Sequence, residues 1–108
     1  MAVASDGKTD FKCRVRRWAE KLDIQVTSIA IRPMKNKWAS CSTNGRLNFD
    51  TSLLELRSDL QDYVIVHELL HFRVPNHGKL WKVLMMVHLG DYAAKEAELV
   101  HFSSQAKI

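Results

Sequence analysis

The sequence predicts an α+β fold: an N-terminal helix, a small antiparallel sheet of about three strands, and a helical second half. Three observations carry that prediction. Helical periodicity frames the chain at both ends, an alternating run of β-branched residues and an Asn-Gly pair fall within residues 24–50, and 108 residues suffice for one domain and little more. The chain therefore reads as a single domain, 1–108, with residues 1–8 as a flexible polar tail.

Taken in order, Phe11, Val15, Trp18, Ala19 and Leu22 fall at helical spacing, with Lys12, Arg14, Arg16, Arg17 and Lys21 between them. This is an amphipathic helix with a basic outer face, capped by Thr9 or Asp10. Ile24, Val26, Thr27, Ile29 and Ile31 read as one strand ended by Pro33. Lys37–Ser42 and Arg46–Asp50 flank Asn44-Gly45, the strongest short-range hairpin signal. Ser52–Leu56 is expected to form a short helical turn. Asp59 is a natural cap for a helix that Pro75 stops. A third helix starting near His77 carries Leu80, Trp81, Leu84, Met85 and Leu89 and ends at Gly90, and a last one runs from Tyr92 to about Val100.

Composition removes several function classes. Hydrophobic residues at 46% and charged residues at 26% are ordinary globular values. The longest near-continuous apolar stretch, Tyr63–Phe72, is far short of the roughly 20 residues that span a bilayer. MAVASDGKTD contains no apolar signal core. A soluble, cytoplasmic protein with no membrane partner is expected. Cys13 and Cys41 form no CxxC pair and are expected to stay reduced as small hydrophobes. Residues 1–46 hold ten Lys/Arg and four Asp/Glu, whereas residues 47–108 hold six and eight. Without a groove-reading motif, that basic half is expected to bind nucleic acid weakly and non-specifically at most.

Residues 67–71 read His-Glu-Leu-Leu-His. On a helix, positions i and i+4 lie about 40° apart around the axis, so both imidazoles address one point. Glu68 falls on the flank of that face, within reach of a water on a metal without being a ligand. Tyr63-Val-Ile-Val66 and Leu69-Leu70 make the helix apolar nearly all round, hence buried. Burying two His and a Glu alone is costly, and a metal with its water resolves the cost. A catalytic zinc site needs a third protein ligand and keeps its fourth position for water or substrate. His77 is the leading candidate. A continuous helix would aim it about 240° away from His71, but Pro75-Asn76 breaks the helix and lets the chain turn back. Glu96 or Glu98 is the competing third ligand, because a Glu also completes zinc peptidase sites. Cys41 is expected to be packed instead, since strand alternation faces it opposite to Ser40 and Ser42. His88 is expected to pack structurally, His101 to be uninvolved, and Trp18 and Trp81 to belong to the core.

Trp38-Ala-Ser-Cys-Ser42, Gly45, Leu47-Asn48, Asp62-Tyr-Val-Ile-Val-His-Glu-Leu-Leu-His71, Asn76-His77 and Trp81 resemble, in order and spacing, the YgjP-like metallopeptidase domain. That family of predicted metal-dependent hydrolases is related to SprT-like and WLM zinc proteases and to minimal gluzincin-type peptidases. The resemblance covers roughly residues 24–100. It implies a zincin-like fold and one zinc ion per chain on His67, His71 and His77, in an HExxH-x5-H pattern. It also implies Glu68 as general base. Family members are often about twice this length, and their usual Trp-Gly-Ser-Cys reads Trp38-Ala39-Ser40-Cys41 here. A nucleotide pyrophosphatase label attached to some relatives finds no phosphate-cradling glycine loop in this sequence.

The expected function is thus that of a minimal zinc metallopeptidase, with Glu68-assisted attack of zinc-bound water on a peptide bond. An extended peptide would add as a strand on the edge of Trp38–Ser42 or Arg46–Asp50. The contrasting reading is a non-catalytic, metal-stabilised module whose basic helix 11–22 docks on nucleic acid or a protein partner.

Overall fold

The spacing of Phe11, Val15, Ala19 and Leu22 puts four side chains on one face of α1 (Gly7–Leu22), and all four are buried. The computed structural model describes residues 7–34, 37–42, 44–74 and 78–102, with the backbone alone for 100–102. α1 starts at Gly7, one turn ahead of the expected Asp10. It ends in a Schellman motif: Ile24 N–H reaches the Ala19 carbonyl at 2.8 Å and Asp23 N–H the Glu20 carbonyl at 3.1 Å. Asp23 takes the left-handed conformation, φ 58°, that this cap demands.

Three strands follow, β1 (Ser28–Arg32), β2 (Ala39–Cys41) and β3 (Arg46–Asp50), in the spatial order β1-β3-β2. The expected hairpin is present, with β2 antiparallel to β3 and Cys41 opposite Leu47. The expectation of a wholly antiparallel sheet is corrected. β3 inserts between the other two and runs parallel to β1. The register explains why. Ile29 pairs with Leu47 and Ile31 with Phe49, so the buried alternate positions of both strands make one apolar face. The segment between β1 and β3 is long enough for a parallel return. β1 is also shorter than the run of β-branched residues, because Ile24–Thr27 forms the lead-in from the α1 cap. At the hairpin, Gly45 has φ +88°, and a Cβ there would lie 3.2 Å from the Thr27 backbone nitrogen. Thr27 N–H in turn donates to the Gly45 carbonyl at 2.8 Å. Only glycine meets both demands.

A 3-10 turn, Thr51–Glu55, is capped by Asp50, whose side chain accepts from Ser52 N–H. α2 (Ser58–Leu70) then crosses behind the sheet, buried on nearly every side from Tyr63 to Leu70. Asp59 does not cap it. Arg57 occupies the N-cap without a side-chain hydrogen bond, and Asp59 pairs with the Arg57 guanidinium at 3.0 Å. α3 (Lys79–Leu89) and α4 (Tyr92–Phe102) complete the chain. Phe11 meets Phe49 edge-on at 5.0 Å between centroids, joining α1 to the sheet. Among the described residues, no helix is long and apolar enough to cross a membrane.

Candidate metal centre

α2 carries both halves of the candidate site. The sequence continues helically through its C-cap, His71, at φ −64° and ψ −19°, so the one-turn spacing of His67 and His71 is kept. Their rings lie 4.8 Å apart between centroids. One donor atom from each of His67, Glu68 and His71 lies within 4.8 Å of the others. His67 is 1% and Glu68 4% exposed, so this is a buried cluster rather than a surface group.

The surrounding side chains fix its shape. Trp81, in the first turn of α3, sets its ring 4.9 Å from His67 edge-on and 6.4 Å from His71 nearly parallel. Tyr63, one turn before His67, lies 5.8 Å from that imidazole, and its hydroxyl donates to Glu96 at 3.1 Å. Burial, and then the Glu96 carboxylate, hold the Tyr63 phenol far above its ordinary range, so it remains a donor. His71 Nδ1 lies 3.3 Å from the Val74 carbonyl, a contact that fixes the ring and leaves Nε2 for another partner.

Burial raises the Glu68 carboxyl to about 7, against the opposing pull of the Lys37 charge. Its Oε2 sits 3.9 Å from His67 Nε2. Such a carboxyl changes protonation near neutral pH, as a proton carrier must. The donor set of two imidazoles and a carboxylate suits a divalent metal of zinc type, since neutral imidazole is a common zinc ligand and pairs with an acid–base carboxylate at catalytic sites.

The structure brings together three of the residues singled out from sequence, His67, Glu68 and His71. His77, with Pro75 and Asn76, lies outside the described residues. Glu98 forms a two-pronged ion pair with Arg57, one contact at 2.9 Å. Glu96 is occupied by Tyr63. Cys41 is a half-buried free thiol, pushed above its ordinary range by burial and by the nearby Glu68 charge. Cys13 is also free, and it is exposed. His88 packs edge-on against Trp18 at 6.4 Å. Trp81 is buried as expected, whereas Trp18 is half-buried and donates its indole N–H to Asp62 at 2.9 Å. The side chain of His101 lies outside the described residues. Tyr63 and Trp81 as walls of the site escaped the sequence reading. The signal was the turn spacing of Tyr63 to His67, which reads equally well as core.

β2 is an edge strand among the described residues and packs on α2 beside this cluster. β3, the other expected free edge, is paired on both sides.

Residues 2–102 match the YgjP-like, metallopeptidase domain family. An uncharacterised protein of Methanocaldococcus jannaschii is 35% identical over 86 residues, covering 68% of this chain and 72% of its own. The crystal structure of the metallopeptidase zymogen of Methanocaldococcus jannaschii jannalysin superposes with a TM-score of 0.74 at 29% identity, covering 87% of this chain and 95% of that one. The metallopeptidase zymogen of Pyrococcus abyssi abylysin superposes with a TM-score of 0.76, covering 91% of this chain and 99% of that one. At 21% identity, this second likeness speaks for the fold alone.

Proposed function

The chain belongs to the YgjP-like metallopeptidase domain family, and on that premise we propose that it is a zinc peptidase working through His67, Glu68, His71 and His77. The family itself implies a metal-dependent peptidase. The observation that carries the finer reading is the buried cluster of His67, Glu68 and His71 on one helix, with donor atoms within 4.8 Å of one another. His67 and His71 would hold one zinc ion, with His77 as the third protein ligand. The engagement of Glu98 with Arg57 and of Glu96 with Tyr63 favours His77 over either carboxylate.

Zinc, when bound there, supplies Lewis-acid polarisation of the scissile carbonyl and acidifies a water molecule. The chain's own groups do the rest. Glu68, buried beside the two imidazoles, would take a proton from the attacking water and deliver it to the leaving amine nitrogen. His71 is held in one orientation by the Val74 carbonyl, and Trp81 and Tyr63 keep the histidine rings in place and dry. An extended peptide adds to the edge of β2, the free strand beside α2.

Digestion of a peptide library tests this. The zinc-loaded chain is expected to cleave internal peptide bonds, to stop with a chelator, and to resume with added zinc. Because two similar structures are described as zymogens, the digestion is run before and after limited proteolytic trimming. Cleavage indifferent to chelation, or none by the loaded chain in either form, overturns the proposal.

A further inference from the structure

The exposed large hydrophobic residues among the described ones gather on a single helix. Leu80, Val83, Met86 and Val87 are 60%, 52%, 63% and 69% exposed, and all lie on α3. At 100° per residue they form one ridge on the side of α3 away from Trp81 and Met85, with half-buried Leu84 along its inner border. From Leu80 to Val87 the ridge runs about 10 Å along the helix. Scattered exposed apolar residues need no explanation, but a continuous ridge does.

The cations beside it identify what it meets. Lys82 borders the ridge on one flank and Lys79 stands at its N-terminal end; both are exposed and make no ion pair among the described residues. On the other, His88 of α3 packs against Trp18 of α1, and Trp18 lines a cleft with Arg14, Arg17, Lys21 and Asp62. Asp62 builds this cleft. It accepts from Trp18 Nε1 at 2.9 Å and from Arg14 at 3.2 Å, while the Lys21 ammonium sits 4.9 Å over the Trp18 ring. Arg17 has no carboxylate partner among the described residues. The apolar ridge thus has Lys82 along one border, Lys79 at its end and the basic cleft of α1 beyond His88 on the other side.

We propose that the α3 ridge and the basic face of α1 form one docking surface for an anionic lipid bilayer. Shape and charge both select that occupant. The ridge is convex, whereas an amphipathic partner helix would need a groove to lie in. A helix lying in the interface buries its apolar face about 5–10 Å deep while flanking Lys and Arg meet lipid phosphates. That no helix among the described residues can span a bilayer is no objection, because surface docking needs only a ridge. Trp81, which packs on His67, points away from the ridge, so docking does not involve the His67–Glu68–His71 cluster.

Co-sedimentation of the whole chain with vesicles tests the proposal without reference to hydrolysis. Vesicles of phosphatidylcholine with about a third phosphatidylserine are expected to bind the chain, and pure phosphatidylcholine vesicles are not. Leu80→Gln with Val87→Gln is expected to weaken binding about tenfold or more. Lys79→Gln and Lys82→Gln are each expected to weaken it about fivefold. These side chains are exposed, so the variants keep the wild-type thermal midpoint. No binding to anionic vesicles at low salt overturns the proposal. So does unchanged binding of the Leu80→Gln, Val87→Gln variant, which would mean adsorption by charge alone. A dimer in sedimentation equilibrium that the same two substitutions dissolve would assign the ridge to a second copy instead.

Discussion

Replacing Glu68 with Gln is expected to make the metal-free protein more stable at pH 8 while changing little at pH 5. Burial raises the Glu68 carboxyl from its ordinary 4.5 to about 7 in the folded chain. Between those values the folded state holds a proton that the unfolded state has released. The folded state therefore binds more protons, and stability falls as pH rises through that window. The full shift corresponds to at most about 3 kcal/mol, lost between the unfolded and folded values. For a domain of this size that is a drop of up to about 15 °C in thermal midpoint. The glutamine side chain of the variant cannot ionise and escapes the loss. The assay is urea denaturation of chelator-treated wild type and Glu68→Gln at pH 5, 6, 7 and 8. The two proteins differ at residue 68 alone, so the difference between the two curves reports the Glu68 carboxyl. Parallel curves, or a wild type that gains stability over the variant as pH rises, would show that burial does not raise the Glu68 carboxyl.

Three further outcomes follow from named contacts. His77→Ala is expected to weaken zinc binding by more than the roughly 10–100-fold that loss of an outer partner costs, while Glu96→Ala and Glu98→Ala retain full occupancy in equilibrium dialysis. Asp62→Ala removes the acceptor shared by Trp18 and Arg14 and should cost about 1–2 kcal/mol in denaturant unfolding, with zinc affinity unchanged. Gly45→Ala forces a side chain into the φ +88° position against Thr27 and should cost about 1–3 kcal/mol, measured the same way.

Features of the fold with a local cause were legible in the sequence. The α1 face, the Asn44-Gly45 hairpin and the shared direction of His67 and His71 each follow from spacing within a few residues. The parallel partnership of β1 and β3 does not. It depends on Ile29 and Ile31 matching Leu47 and Phe49 across a sheet, and two antiparallel neighbours would use the same alternation. The direction of α3 was likewise hidden. Leu80 and Trp81 are both apolar, and only packing shows that Trp81 closes on His67 while Leu80 faces solvent. At the site, Tyr63 reads as core in sequence because its hydroxyl partner, Glu96, lies 33 residues further along. The burial that raises Glu68 was foreseeable from its apolar neighbours, whereas the opposing charge of Lys37 arrives from the strand side of the fold.

Zinc content and peptide turnover, measured on the same samples of wild type and Glu68→Gln, separate metal holding from proton transfer at this site. One zinc ion per chain is expected in both proteins, with hydrolysis in the wild type alone. Glu68 moves the proton, whereas His67, His71 and His77 hold the metal. Undiminished hydrolysis by Glu68→Gln at full zinc occupancy would contradict that division of roles.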